Sequence, residues 1–262
     1  YTLLSLPVMA LEITTEWIQG GLIVGKTNPE NSIQFLGRTV RVNAQGDFVV
    51  GLGRDAKPQV KMLEIYPNGT TKEYIFSVTQ RQYKEQRIEG VPKKTVNVPE
   101  EALPRIRKEV KLVKAARKVH STRQDFLQSF IWPAKGIMTG VYGSRRYYNG
   151  VPKRPHYGID IAAPQGSPVI APASGVVTLV HENMYFSGGT IIMDHGHGIS
   201  STFIHLHKSH VKEGDIIKQG QLIAEIGSTG RSTGPHLDWR MNWFKQRLDP
   251  QLLMSGIPLE RE

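Results

Sequence analysis

The sequence predicts a mainly β protein: a small amino-terminal β-sandwich over residues 1–99, a basic helical linker over 100–130 and a carboxy-terminal antiparallel β domain over 131–262. Three observations carry that prediction. The 262 residues, at about 150 per domain, give about two domains, each long enough to bury its own core. Short β-prone runs alternate with Gly, Pro and Asn punctuation through both halves. Beyond residue 131 there is neither a long amphipathic helix nor a strand–helix alternation, which argues against a nucleotide-binding α/β fold.

In the first region the runs are 17–24, 32–36, 39–43, 48–52, 60–66 and 74–79. Pro67-Asn68-Gly69 separates the last two, and Asn-Gly tolerates the positive φ that tight hairpin turns demand. No cluster of reactive side chains falls here, so docking, positioning or occlusion is expected of it rather than catalysis. Residues 1–11 form an apolar run ending near Val8-Met9-Ala10. It reads either as the tail of a secretory signal with a small-residue cleavage site or as a buried first strand, and it is too short to span a bilayer.

Over 100–119 the character changes. Leu103, Ile106, Val110 and Val113 recur at helical spacing, while Arg105, Arg107, Lys108, Lys111, Lys114, Arg117 and Lys118 crowd the other faces. The expectation is a basic amphipathic helix that connects the domains with a solvated basic face; a nucleic-acid or membrane-surface element is the alternative. Trp132-Pro133 ends it. The runs 169–170, 175–180, 190–193, 199–203, 215–217, 222–226 and 237–243 then alternate with glycine-bearing turns.

Composition narrows the chemistry. With no cysteine, a disulfide framework, a thiolate zinc site, an iron–sulfur site and a cysteine nucleophile are all excluded. Any metal must sit on His, Asp or Glu. The formal net charge of +10 favours a polyanionic partner: nucleic acid, anionic lipid or an acidic wall polymer.

Of nine histidines, all but His120 lie at or beyond His156. Three patterns stand out: His156-x-x-x-Asp160, His205-x-His207 and His236-x-Asp238. On a strand, residues i and i+2 project from one face, so His236 and Asp238 can enter one site together. His205-x-His207 has the same spacing. His195-Gly196-His197-Gly198 reads as a structural turn.

Five ordered blocks make the second region recognisable: His156-Tyr157-Gly158-Ile159-Asp160 and its continuation to 164, 166–177, Phe203-Ile204-His205-Leu206, 211–221, and 227–237 with Gly234-Pro235-His236-Leu237. In order and spacing they resemble the lysostaphin/LytM-type zinc metallopeptidases, over residues 131 to 250. The β module and basic linker before them resemble, more loosely, the amino-terminal domain of some Gram-negative members.

That resemblance implies one zinc, held by His156 and Asp160 and by the second residue of the family's His-x-His block, whose counterpart here is His236-Leu237-Asp238. His205 and His236 are implied to line the catalytic cleft, and His207 is not expected to ligate. At the third ligand position Asp238 stands where a histidine is usual. Aspartate remains a competent zinc ligand, although two carboxylates bring the formal charge of metal plus ligands to zero and weaken the Lewis acid.

The function the resemblance implies is a zinc metalloendopeptidase cutting peptide cross-links of peptidoglycan, at D-alanyl–diaminopimelate bonds or alternatively at a glycyl bridge. The alternative class is a catalytically impaired domain that binds peptidoglycan or activates another wall hydrolase. A nucleic-acid binder would explain the charge but not the His/Asp blocks, so peptidoglycan is the expected partner and nucleic acid is not. A monomer in the periplasm or cell envelope follows, with the amino-terminal domain available to envelope protein partners.

Overall fold

The structure is a computed structural model that describes residues 10–88 and 98–254. Residues 1–9 of the signal-like run 1–11 lie outside the described residues. The chain divides into two compact units, Tyr1–Arg81 and Gln82–Glu262.

The first unit is two antiparallel sheets. Strands β1 (Glu12–Ile13), β2 (Leu22–Lys26) and β5 (Asp47–Gly51) form one, in the order β1-β2-β5. Strands β3 (Ser32–Phe35), β4 (Arg38–Val40), β6 (Gln59–Ile65) and β7 (Thr71–Ser77) form the other, in the order β4-β3-β6-β7. Alternation along β6 points Val60, Met62 and Glu64 inward. Ile23, Ile33, Phe35, Phe48 and Val50 complete this core, and Trp17 stacks on Phe76 at 4.2 Å. The Asn68-Gly69 turn joins β6 to β7 with Gly69 at φ +81°, the conformation its sequence predicts.

The second unit is built on a ten-stranded antiparallel sheet. Its main path runs β17 (Ile216–Ile217), β14 (Gly175–Met184), β15 (Gly188–Gly196), β16 (Ile199–Ser209), β19 (His236–Trp243), β12 (Ile159–Ala162) and β9 (Ile137–Gly140). Strand β13 (Pro168–Ile170) pairs with β18 (Leu222–Ile226), β18 also with β16, and β20 (Gln246–Leu248) with β19. A separate three-stranded sheet joins β8 (Glu85–Ile88) in parallel to β10 (Arg145–Tyr148), which pairs with β11 (Val151–Pro152). The sequence analysis did not mark β8 to β12 or β20 as strands; each is two to four residues long.

The helix α1 spans Leu103–Ala116; Leu103, Ile106 and Val113 of the predicted stripe are half-buried, and the departure is at its remaining member. Val110 is exposed, whereas Glu109 and Ala116 are buried. Ala116, with Val113 beside it, packs on Leu179 and Met184 of β14 and on Ile192 of β15. The Glu109 carboxylate tolerates burial because it accepts hydrogen bonds from Arg105 Nε (2.8 Å) and from the Tyr185 amide (2.9 Å). The basic face is therefore not wholly solvated, since Arg105 also donates to the Asn183 carbonyl and Arg117 to Thr202. Among the described residues no helix is long and apolar enough to cross a membrane.

Candidate metal centre

Antiparallel pairing of β12 with β19 sets Asp160 directly opposite Asp238 and Ala162 opposite His236. Side chains at 236, 238 and 160 therefore share one face of the sheet. Two carboxylates facing each other across a strand pair repel, unless something positive lies between them. His156 is fixed just ahead of β12, its amide donating to the Ser144 carbonyl (2.8 Å) and its carbonyl accepting from the Gly143 amide (2.8 Å). This brings its Nε2 to 3.2 Å from Asp160 Oδ1.

One potential ligand atom from each of His156, Asp160 and Asp238 lies within 4.8 Å of the others. The donor set of one imidazole and two carboxylates suits a borderline divalent ion. Two further atoms test the fit. His156 Nε2 and Asp160 Oδ1 are buried atoms 3.2 Å apart that have no partner other than each other, so a shared cation between them would satisfy both. Both carboxylates oppose the burial that would drive the His156 proton off, and they hold its pKa above the ordinary histidine value.

Two glycines make the cradle. Gly140 stands opposite Asp160 on β9, and a Cβ there would overlap the Asp160 carboxylate. Gly158 is hemmed by Asp238 Oδ1 and by the Arg240 Cγ, so a Cβ there would push both away. Glycine is needed at these two places for close approach rather than for backbone freedom.

His205 reaches the cluster through a break in strand β16. Its φ is +66°, its amide donates to the Ser187 carbonyl (2.8 Å), and the ladder changes register around it. Such a conformation is costly for a non-glycine residue and clusters at functional positions. The break also undoes the simple i, i+2 relation: His205 is buried, while His207 is exposed, with its Nδ1 3.4 Å from Gln165 Nε2. The rings of His205 and His236 lie 4.7 Å apart, and His236 Nε2 is 4.0 Å from Asp160 Oδ1. His205 Nδ1 donates to the Thr229 carbonyl and His236 Nδ1 to the Gly234 carbonyl, each at 2.8 Å, because a carbonyl only accepts. In the neutral ring, Nε2 is then the free basic nitrogen on both. Burial lowers the His205 pKa, which keeps that nitrogen unprotonated near neutral pH.

The structure thus gathers all five predicted residues. It adds one that the sequence analysis passed over. Arg240 grips Asp238, with Nε 2.9 Å from Oδ1 and 3.1 Å from Oδ2, and Nη2 2.5 Å from Oδ2. Burial alone would raise the Asp238 pKa, but the charges of Arg240, His156 and His205 overcome it and bring the value to about 2. The signal was present: Asp-x-Arg on a strand puts both side chains on one face. Elsewhere, His195 is buried between the Ser174 carbonyl (2.6 Å) and Ser201 Oγ (2.8 Å), and His197 packs on Phe126 in the β15–β16 turn. Neither takes part in the cluster.

Comparison with known proteins agrees with this geometry. The model of Peptidase family M23 matches residues 154–250, which contain all five residues. The peptidoglycan DD-endopeptidase ShyB of Vibrio cholerae is 40% identical over 87 residues, 33% of this chain and 20% of that protein. The DD-carboxypeptidase/endopeptidase Mpg of Neisseria meningitidis is 40% identical over 105 residues, 40% of this chain and 24% of its own length. The chain thus spans only a fifth to a quarter of these curated relatives. A Pseudomonas aeruginosa protein, described from its crystal structure as a candidate M23 peptidase, is similar over 93% of this chain and 97% of its own, with a TM-score of 0.72 and 28% identity.

Proposed function

We propose, from the match of residues 154–250 to Peptidase family M23, that the protein is a zinc metalloendopeptidase cutting peptide cross-links of peptidoglycan in the periplasm or cell envelope. The observation that carries this reading is the convergence of one ligand atom each from His156, Asp160 and Asp238 within 4.8 Å of one another, with His156 Nε2 and Asp160 Oδ1 buried there. His156, Asp160 and Asp238 would hold the zinc. When bound there, such an ion supplies Lewis-acid polarisation of the scissile carbonyl and a more acidic water.

The chain's own residues supply the rest. His205 and His236 present Nε2 to the cleft, each locked by its Nδ1–H on a backbone carbonyl. One takes a proton from the attacking water, and the other, once protonated, donates to the developing oxyanion or the leaving amine. Arg240 orients the Asp238 carboxylate and offsets its charge, so the weakening expected from a second carboxylate ligand is partly compensated. For the chain as a whole we propose an amino-terminal β domain to residue 99, a helical linker to 130 and the peptidase domain beyond it, acting as a monomer. The names of the ShyB and Mpg relatives support peptidoglycan as the substrate, and D-alanyl–diaminopimelate is the bond we favour.

The test is digestion of purified sacculi by the zinc-loaded full chain, with mass spectrometry of the soluble fragments. Loss of cross-linked muropeptides, abolished by a chelator and restored by zinc, is expected. The grip of Arg240 on Asp238 favours one second reading, an impaired domain that activates another wall hydrolase, because that arginine competes with a metal for the carboxylate lone pairs. Intact sacculi, together with stimulation of a separate hydrolase, would decide for it.

A further inference from the structure

The face of the sheet that carries the metal cluster continues past Arg240, the partner of Asp238, into two further arginines, Arg117 and Arg247, that the peptidase chemistry does not use. Arg240 is one same-face position beyond Asp238 on β19, with Thr202 of β16 directly opposite it. Arg117, the residue that ends α1, reaches onto this face and donates from Nη2 to Thr202 Oγ1 at 2.8 Å. Arg247 on β20 is paired with Asn242, two residues past Arg240, and donates from Nη1 to Asn242 Oδ1 at 3.1 Å.

Only Arg240 has a carboxylate partner. Among the described residues no carboxylate forms an ion pair with Arg117 or Arg247; Arg247 lies over the Tyr157 ring, 5.7 Å from its centroid, and Arg117 Nε is buried with no acceptor. Burial and the neighbouring charges of Arg247 and Arg240 hold Arg117 well below the usual arginine range, and burial with Arg240 brings Arg247 down to about 10. Three guanidinium groups crowded behind one carboxylate are a poor structural solution, since each buried cation needs a counter-charge. They are a good receptor for an anion. Guanidinium forks match a carboxylate in two parallel hydrogen bonds; the Arg240 side chain keeps 29% of its surface exposed, and Arg117 and Arg247 are half-buried.

We propose that Arg117 and Arg247, beside Arg240, form a carboxylate-binding subsite that takes a free carboxylate of a peptidoglycan stem peptide next to the cleavage position. The identity of the ligand rests on the peptidoglycan reading above. The subsite itself rests on the arginines. It anchors the substrate one side chain away from the metal cluster, so it sets affinity and choice of substrate rather than the chemistry.

The experiment measures binding and cleavage separately on the zinc-loaded full chain. Acetyl-D-alanyl-D-alanine and its carboxy-terminal amide are titrated by calorimetry or NMR into wild type, Arg117→Gln, Arg117→Lys and Arg247→Gln, with zinc content measured for each. In wild type the acid is expected to bind about tenfold or more tighter than the amide, the scale of a charge-assisted hydrogen bond. Either glutamine variant should erase most of that difference at unchanged zinc content, and Arg117→Lys should retain part of it. Removing an uncompensated cation should also leave the unfolding temperature unchanged or raise it. Should one variant fail to fold, the other carries the comparison.

Equal affinity for acid and amide in wild type overturns the proposal, as does a difference that survives both glutamine variants. So does inorganic phosphate binding as tightly as the acid, which would mark a general anion site. Failure of the peptidase reading is distinguishable: sacculi left intact while the acid is still preferred would remove the endopeptidase and leave the subsite standing.

Discussion

Glu64 in the first unit, buried, and Asp160 in the second, half-buried, are carboxylates inside β structure, and they are accommodated in opposite ways. Glu64 is 1% exposed, and both of its oxygens are used. Oε1 accepts from Thr27 Oγ1 and from Asn31 Nδ2 (2.8 Å), and Oε2 accepts from the hydroxyls of Tyr66 (3.1 Å) and Tyr74 (2.9 Å). Burial pushes its pKa up, and the four hydrogen bonds outweigh that and leave it below the ordinary glutamate value of 4.5. Around Asp160 the same kind of group keeps an oxygen without a hydrogen bond, beside an imidazole nitrogen in the same condition. The difference teaches that a buried acid is not by itself a site. A saturated network holds a fold together, whereas a network with matched gaps is built to receive something.

The comparison can be broken or sharpened by substitution. The largest effects belong to His205→Ala and His236→Ala, which should each cut turnover of cross-linked peptidoglycan on the order of a hundredfold or more, the scale of acid–base and oxyanion contributions. Zinc content and unfolding temperature should stay near wild type. Loss of zinc in either variant would make that histidine a ligand instead.

Next come the glycines of the cradle. Gly140→Ala should displace the Asp160 carboxylate, and Gly158→Ala should disturb both Asp238 and its Arg240 partner. Zinc affinity, measured by competition with a chromophoric chelator, should fall roughly tenfold to a hundredfold in each, as for outer residues that orient metal ligands. Wild-type affinity in both would mean that these carboxylates need not stand where the sheet puts them.

The effect at the saturated cluster should be smaller. Glu64→Gln keeps the volume and one acceptor, and the tyrosine hydroxyls can turn to accept from the new amide, so a loss of about 1 kcal/mol of stability is expected from chemical denaturation. The pH dependence follows from the sign of the shift. A carboxyl whose folded pKa is depressed contributes stability that is present above its unfolded value of 4.5 and lost as the pH falls through the folded one. Wild type should therefore destabilise more steeply than Glu64→Gln on acidification below that value. Parallel curves would show that Glu64 is not held ionised by its partners.

Much of this was legible in the sequence. Long alternating runs such as β6, β16 and β19 announced themselves, as did the Asn68-Gly69 turn, because side-chain period and turn chemistry are local properties. The short strands β8 to β12 were missed: a stretch such as Arg145–Tyr148 shows no apolar–polar alternation of its own and is held as a strand by pairing with β8 and β11. The helix showed the reverse problem: its period was visible, but a hydrogen-bonded Glu109 displaced Val110 from the buried face, which no hydropathy count can foresee. His156, Asp160, Asp238, His205 and His236 were recognisable from ordered blocks. The roles of Arg240 and Arg117 were not, because their meaning depends on what lies across the strand pair and at the end of a distant helix.

The central claim is that the gap between His156 and the two aspartates is a zinc site. Zinc stoichiometry of the full chain tests it most directly, measured by elemental analysis after loading and gel filtration, on wild type beside His156→Ala and Asp238→Ala. The account predicts one zinc per wild-type chain, with His156→Ala and Asp238→Ala each retaining less than about a tenth of it. Wild-type protein that retains no zinc, or a His156→Ala variant that keeps it fully, would contradict the account.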